Sequence, residues 1–292
     1  MIRPARFGLA TAAVLLALAP AALSAPSPQP ANPAPSASDF RTPDPQDILV
    51  IDTNKGRILV ELVPLAAPAH VVRVRELARQ GLYNGRSFFR VIDQFMAQTG
   101  DPKDDGTGGS ELPDLAAEFT FRRGADTPFF QVADQAVAEI GFIGSLPVMT
   151  QSSQLMPMTA DGRISGWALY CPGVAGMARG GSPDSANSQF FLMRQAYPAL
   201  DKRYTVWGMT VSGLDVVRSL RVGEGANGMV TGEPDRMTRV RVAADIAEAE
   251  RPAVRVLATN SSRFRSMVDG LRVSRGADFS VCDVTLPVEV SN

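Results

Sequence analysis

The stretch FFRVIDQFMAQTGD, Phe88 to Asp101, places one arginine, Arg90, among phenylalanines and a methionine, with glutamines at Gln94 and Gln98, and contains no histidine, cysteine or serine. Short apolar runs closed by glycine read as β-strands. Similar short apolar runs recur in SQFFLM and YTVWGMTV, and RVRVAA alternates again further along the chain. Upstream, ILVIDTNKGRILVEL has two β-rich runs around TNKG, with Ile58, Val60 and Leu62 alternating with Arg57, Leu59 and Glu61, the pattern of a hairpin. APAHVVRVRELARQG sets Val71, Val74 and Ala78 at helical spacing before Gly81 and predicts a helix over Val71 to Gln80. SGLDVVRSLRVG is a second helical candidate. Many short strands with one helix early and one late suggest a mainly β fold, a closed antiparallel barrel with helices over its ends, since closure removes exposed strand edges.

Composition narrows the function. The chain has 292 residues, 45% hydrophobic and 20% charged, with a formal net charge of −1. Such a chain buries a full core, and without a basic field nucleic acid is not expected as a partner. A single histidine, His70, excludes histidine-clustered zinc sites and HExxH helices, and it reads as a structural or surface residue of its helix. No metal or cofactor is expected.

The first 25 residues have the form of an export signal, with Arg3 and Arg6 before an apolar run and small residues at Ser24 and Ala25. That run is short for a membrane span, so no stable insertion is expected after cleavage. Residues 26–46 hold seven of the chain's 22 prolines and read as an extended linker. The expected location is periplasmic or otherwise exported.

FFRVIDQFMAQTGD with the following DGTGG, then GVAGMARGGSPDSANSQFFLM and LDKRYTVWG, together resemble the cyclophilin family of peptidyl-prolyl cis-trans isomerases in its bacterial exported form. The likeness covers roughly Ile48 to Asp245 with one interruption, inside a domain drawn at 47–245. It implies a closed eight-stranded antiparallel barrel with two capping helices and an active groove on the outer face. It also implies Arg90 as the catalytic arginine. Phe95, Met96, Phe191 and Leu200 would form the proline pocket, with Tyr204 as a further wall. Gln98, Gly106, Ala178, Arg179 and Gln189 would hold the peptide backbone. Strand alternation agrees, since it turns Phe190 and Phe191 to opposite faces. DDGTGGS has glycines enough for a phosphate cradle, but Asp104 and Asp105 and the lack of a following GK[ST] favour a groove loop.

The chemistry suits those residues. Rotation about an X-Pro bond is opposed by amide resonance, a barrier of about 18–20 kcal/mol, and needs no acid, base or nucleophile. A held ring and a cation beside the prolyl nitrogen favour the twisted amide over both planar forms. Clients would be proline-containing polypeptides. The other reading is a proline-peptide-binding or scaffolding module with little turnover.

Two positions depart from many eukaryotic relatives: Ala199 stands where they have tryptophan, and Tyr204 where they have histidine. Weak cyclosporin binding follows from the first. Arg179 replaces a frequent asparagine whose role is largely through backbone groups. Residues 125–171 form an inserted annex, too apolar for a linker; Phe142, Ile143, Val148, Met149, Leu155, Met156 and Met158 either pack against the barrel or form an adaptable client surface. Residues 246–292 are an extension without a recognised motif, whose Val254, Val256, Val281 and Val284 suggest strand. The two cysteines, Cys171 and Cys282, are an even pair in a chain expected to be exported, which favours a disulfide strapping the extension to the annex over two separately buried thiols.

Overall fold

The runs Ile48–Thr53 and Gly56–Leu62 form the expected hairpin around Asn54 and Lys55, with Ile51 opposite Ile58. The computed structural model describes residues 36–135, 137–225 and 227–291. The signal sequence and linker residues 26–35 lie outside the described residues. All of the described residues fall within one compact unit, Pro35–Asn292.

Eight antiparallel strands form the main sheet. In spatial order they are Met237–Val242, Ile48–Thr53, Gly56–Leu62, Val206–Ser212, Val174–Met177, Phe190–Met193, Met96–Thr99 and Arg90–Ile92. Bulges near Gly176, Thr210 and Met237 curl the sheet. The expected closed barrel is corrected: the sheet is a curled half-barrel. Among the described residues its first and last strands share no ladder, and the seam carries a single bridge, Ser87 to Arg236, with loop bonds such as Phe88 N to Asp235 O at 2.8 Å. The strands do not meet because the edge of Arg90–Ile92 is taken by a loop, with Val230 N donating to Phe89 O at 2.9 Å and Val91 N to Gly228 O at 2.8 Å.

The concave face holds Leu49, Ile51, Ile58, Val60, Phe190, Leu192 and Trp207. Helix α1, Pro68–Arg79, closes one side with Val71, Val74 and Leu77 and begins three residues before the predicted start, at a proline suited to a first helical turn. Within it His70 is fully buried, its Nδ1 2.6 Å from Glu118 Oε2, a structural role. Helix α2, Leu214–Ser219, is shorter than its candidate stretch because Leu220 is already extended. It starts from Gly213 at φ +86°, where a Cβ would lie 2.3 Å from Arg57 O.

Three features fall outside the expected picture. Residues 36–46 are not a tether: Phe40–Arg41 pairs with Val256 and Leu257, and Arg41 binds the buried carboxylate of Glu61 at 2.6 and 2.8 Å. The proline density around this short strand hid it. The extension contains a helix, α3, Ser262–Arg275, capped by the Ser261 side chain and burying Phe264 and Val268 one turn apart. Arginines on its other faces obscured that stripe. The extension also supplies Ala253–Leu257 and Val288–Ser291 to a three-stranded sheet with Phe40–Arg41. Val254 and Val256 from it cover Ile48, Val50 and Leu59, which explains why Ile48 to Ile51 is apolar on both faces.

The annex is a five-stranded sheet ordered Phe121–Arg123, Ile164–Ala168, Leu146–Gln151, Ala138–Ile143 and Phe129–Gln135. Its Phe142, Ile143 and Val148 are buried, whereas Leu155 and Met158 are exposed. Phe264 of α3 meets Phe130 and Phe142 edge-on at 5.2 and 5.5 Å. Cys171 and Cys282 form a disulfide with Cα atoms 5.0 Å apart, 111 residues apart in sequence. A Cys282→Ser variant is expected to lose up to about 4–5 kcal/mol of stability, the loop-closure contribution of such a bridge, read as a lower urea midpoint with a steeper slope because the unfolded chain is no longer cross-linked.

Candidate active site

Arg90 stands at the edge of the half-barrel, opposite Gln98 on the neighbouring strand. Its guanidinium is held in two directions: Nε donates to Asn227 O at 2.7 Å, and Nη1 to Gln98 Oε1 at 3.0 Å. Nη2 makes no protein hydrogen bond among the described residues. Partial burial pulls the Arg90 pKa below its ordinary value, and the group remains a cation.

Arg90 and Gln98 line a cleft of about 170 Å³ on the convex face with Phe95, Met96 and Phe191. Ala178, Arg179, Leu200 and Tyr204 complete it. Its size suits a single side chain, being below the roughly 300–1,000 Å³ of sites for drug-sized ligands. Phe191 forms the floor, meeting Tyr204 edge-on at 5.9 Å, while Phe190 on the other face meets Trp207 in the core at 5.4 Å. The sequence reading confined Arg179 to a backbone role. Its side chain also lies over the Tyr204 ring at 4.4 Å and donates twice to Arg203 O, a cation held on the aromatic wall.

A second cleft of about 370 Å³ adjoins the first and shares Gln98, Ala178 and Arg179 with it. Gly106 and Gln189 lie here, so every residue expected at the groove falls in one of two adjoining clefts. A relay of amides joins them: Gln98 Nε2 donates to Gln189 Oε1 at 3.0 Å, and Gln189 Nε2 to Gly108 O at 2.7 Å. The loop beneath is organised by Asp101, which the sequence reading passed over. Its buried carboxylate accepts the N–H groups of Lys103, Asp105, Gly106 and Gly108. Gly108 approaches so closely that a Cβ would lie 2.0 Å from Asp101 Oδ1.

A family model described as cyclophilin type peptidyl-prolyl cis-trans isomerase/CLD matches residues 48–242. The chain belongs to the cyclophilin family. Among curated relatives, a probable peptidyl-prolyl cis-trans isomerase of Brucella suis is 34% identical over 213 residues, covering 69% of this chain and 85% of that protein. A bovine peptidyl-prolyl cis-trans isomerase-like 1 is 29% identical over 173 residues, covering 59% and 77%. Among solved structures, the cyclophilin AquaCyp293 from Hirschia baltica superposes with a TM-score of 0.78 at 34% identity, covering 86% of this chain and 93% of that one. That coverage exceeds residues 48–242, so the likeness reaches beyond the segment the family model matches.

This cyclophilin has a further ionisable group behind the cleft, outside its lining. Asp201 follows Leu200 in sequence, and burial raises its pKa to about 6, against the lowering influence of the Tyr170 N–H and the neighbouring Lys202. Because the folded value is raised, its contribution to stability is present below pH 3.8 and lost as pH rises through about 6. Asp201→Asn keeps an acceptor without the charge. It is expected to raise stability at neutral pH by about 1 kcal/mol, with the gain in melting temperature vanishing as pH falls from 6 to 3.8.

Proposed function

We propose that this cyclophilin isomerises X-Pro bonds of exported polypeptides, with Arg90 stabilising the twisted amide. The observation that carries the reading is the placement of one half-buried cation, with Nη2 unbonded among the described residues, beside the apolar side chains of a cleft sized for a single side chain. The ring enters between Phe95, Met96, Phe191, Leu200 and Tyr204. The flanking backbone runs along Gln98, Gly106, Ala178, Arg179 and Gln189.

As the bond twists, the prolyl nitrogen loses resonance and becomes a better hydrogen-bond acceptor. A guanidinium held in place gains interaction only then, which is differential binding of the transition state. Arginine suits the task better than lysine because its planar fork is weakly hydrated and permanently charged. The Asn227 and Gln98 bonds hold that fork before the substrate arrives, so little reorganisation remains. One charge-assisted bond is worth about 1.5–3 kcal/mol, or one to two powers of ten in rate, and ring fixation supplies the rest.

Export is supported by the form of the N-terminal sequence and by the disulfide, a bond that persists in oxidising compartments. No helix among the described residues is long and apolar enough to cross a membrane.

Arg90→Ala is expected to lower kcat/KM about ten- to a thousandfold while leaving circular dichroism and melting unchanged. Phe95→Ala is expected to raise KM instead. In a protease-coupled assay on a short X-Pro peptide, a parent rate equal to buffer would move the assignment to a binding module, and an undiminished Arg90→Ala rate would remove Arg90 from the mechanism. Cyclosporin is expected to inhibit weakly because the exposed Ala199 offers no indole. In Ala199→Trp a lower inhibitory concentration is expected in the same assay.

A further inference from the structure

Tyr170 lies fully buried behind the cleft, outside the residues that line it. Its ring stacks on Phe191, with centroids 5.9 Å apart and planes at 22°. Its backbone engages the opposite wall: its N–H donates to Asp201 Oδ1 at 2.9 Å, and its C=O accepts from Tyr197 N–H at 2.8 Å. Between those two bonds runs the turn Pro198–Leu200, which brings Leu200 to the cleft, while the Tyr197 ring packs on Phe95 at 4.6 Å. The next residue, Cys171, is fixed to the extension through Cys282. Tyr170 is thus a fixed point touched by both walls.

We propose that Asp201 is a positioning residue of the isomerase: its carboxyl ties the Leu200 turn to Tyr170 and so sets the width of the cleft between Leu200 and Phe191. The proposal rests on reading that cleft as the proline pocket. Tyr197, Pro198 and Ala199 are exposed, so little apolar burial holds the turn, and ordering each residue costs about 1–2 kcal/mol. At its N-terminal end a backbone bond does so. At its C-terminal end the bonds of Leu200 and Asp201 N–H to Tyr197 and Pro198 C=O stay within the turn, and Arg203 N–H to Leu200 O stays within the following segment. The Asp201 side chain is the hydrogen bond that reaches from this end to Tyr170. Burial of this carboxyl is unfavourable for its charged form, so it stands where it costs stability at neutral pH.

The test compares Asp201→Ala and Asp201→Asn with the parent in steady-state isomerisation of a short X-Pro peptide, with Leu200→Ala as a control on the pocket. Asp201→Ala is expected to raise KM about fivefold or more with kcat within about twofold, and Asp201→Asn, which retains an acceptor for Tyr170 N–H, to restore a KM near the parent's. Should Asp201→Ala not fold, Asp201→Ser, whose hydroxyl is too short to reach, carries the same expectation. Equal KM for parent and Asp201→Ala, or an Asp201→Asn that fails to restore it, overturns the positioning role. If Leu200→Ala also leaves KM unchanged, the pocket assignment itself falls; if Leu200→Ala raises KM while Asp201→Ala does not, this inference alone falls.

Discussion

The alternation of a β-strand at Phe190 and Phe191 sets the terms for the rest of the structure. Successive side chains must face opposite sides of the sheet, so a strand that contributes Phe190 to the core beside Tyr83 and Trp207 necessarily presents Phe191 on the convex face. Left to water, that face would expose Phe191, Met96 and Met193. It is instead continuous with a second hydrophobic cluster built by Phe121, Phe142, Tyr170, Cys171, Phe264 and Val281. The annex and the extension therefore back the cleft, and the disulfide between them closes that backing. A ligand's ring meets a floor that is packed from behind.

Polar groups complete the cleft by fixing one another. Arg90, Gln98, Gln189 and the Gly106–Gly108 loop form one chain of donors and acceptors, and Asp101 gathers the loop's N–H groups from below. Each is oriented by its neighbour before any substrate binds, the condition under which an electrostatic contribution to catalysis needs little reorganisation. Buried ion pairs do comparable work elsewhere. Glu61 joins Arg41 and Ser145, and Glu139 joins Arg123 and Ser153, so the first strand and the annex are pinned where apolar burial alone would let them slide.

Much of the groove was legible because its residues fall in short blocks with fixed strand register: Arg90 faces Gln98, and Gln98 faces Phe191. The hairpin was legible from its period. Closure was misjudged because the edge of Arg90–Ile92 is paired by the loop around Gly228 to Val230, a contact that hydrophobic pattern does not record. Helix α3 was missed because a two-residue apolar stripe among arginines is a weak signal, and Phe264 gains its meaning only against Phe130 and Phe142. The side-chain role of Arg179 was missed for a similar reason, since a cation's partner is a ring 25 residues away in sequence, at Tyr204.

By itself the sequence determined the strand periods, the residue types of the groove and the pairing partners available to two cysteines, because these rest on local alternation and on short blocks of chain. Only the tertiary structure decided that the sheet stays open, that residues 40–41 join the fold, and that Tyr170 and Asp201 stand behind the cleft. Those outcomes depend on contacts between residues tens to hundreds of positions apart. Their free energy comes from burial and hydrogen-bond geometry, and it exists only once the chain has brought both partners together.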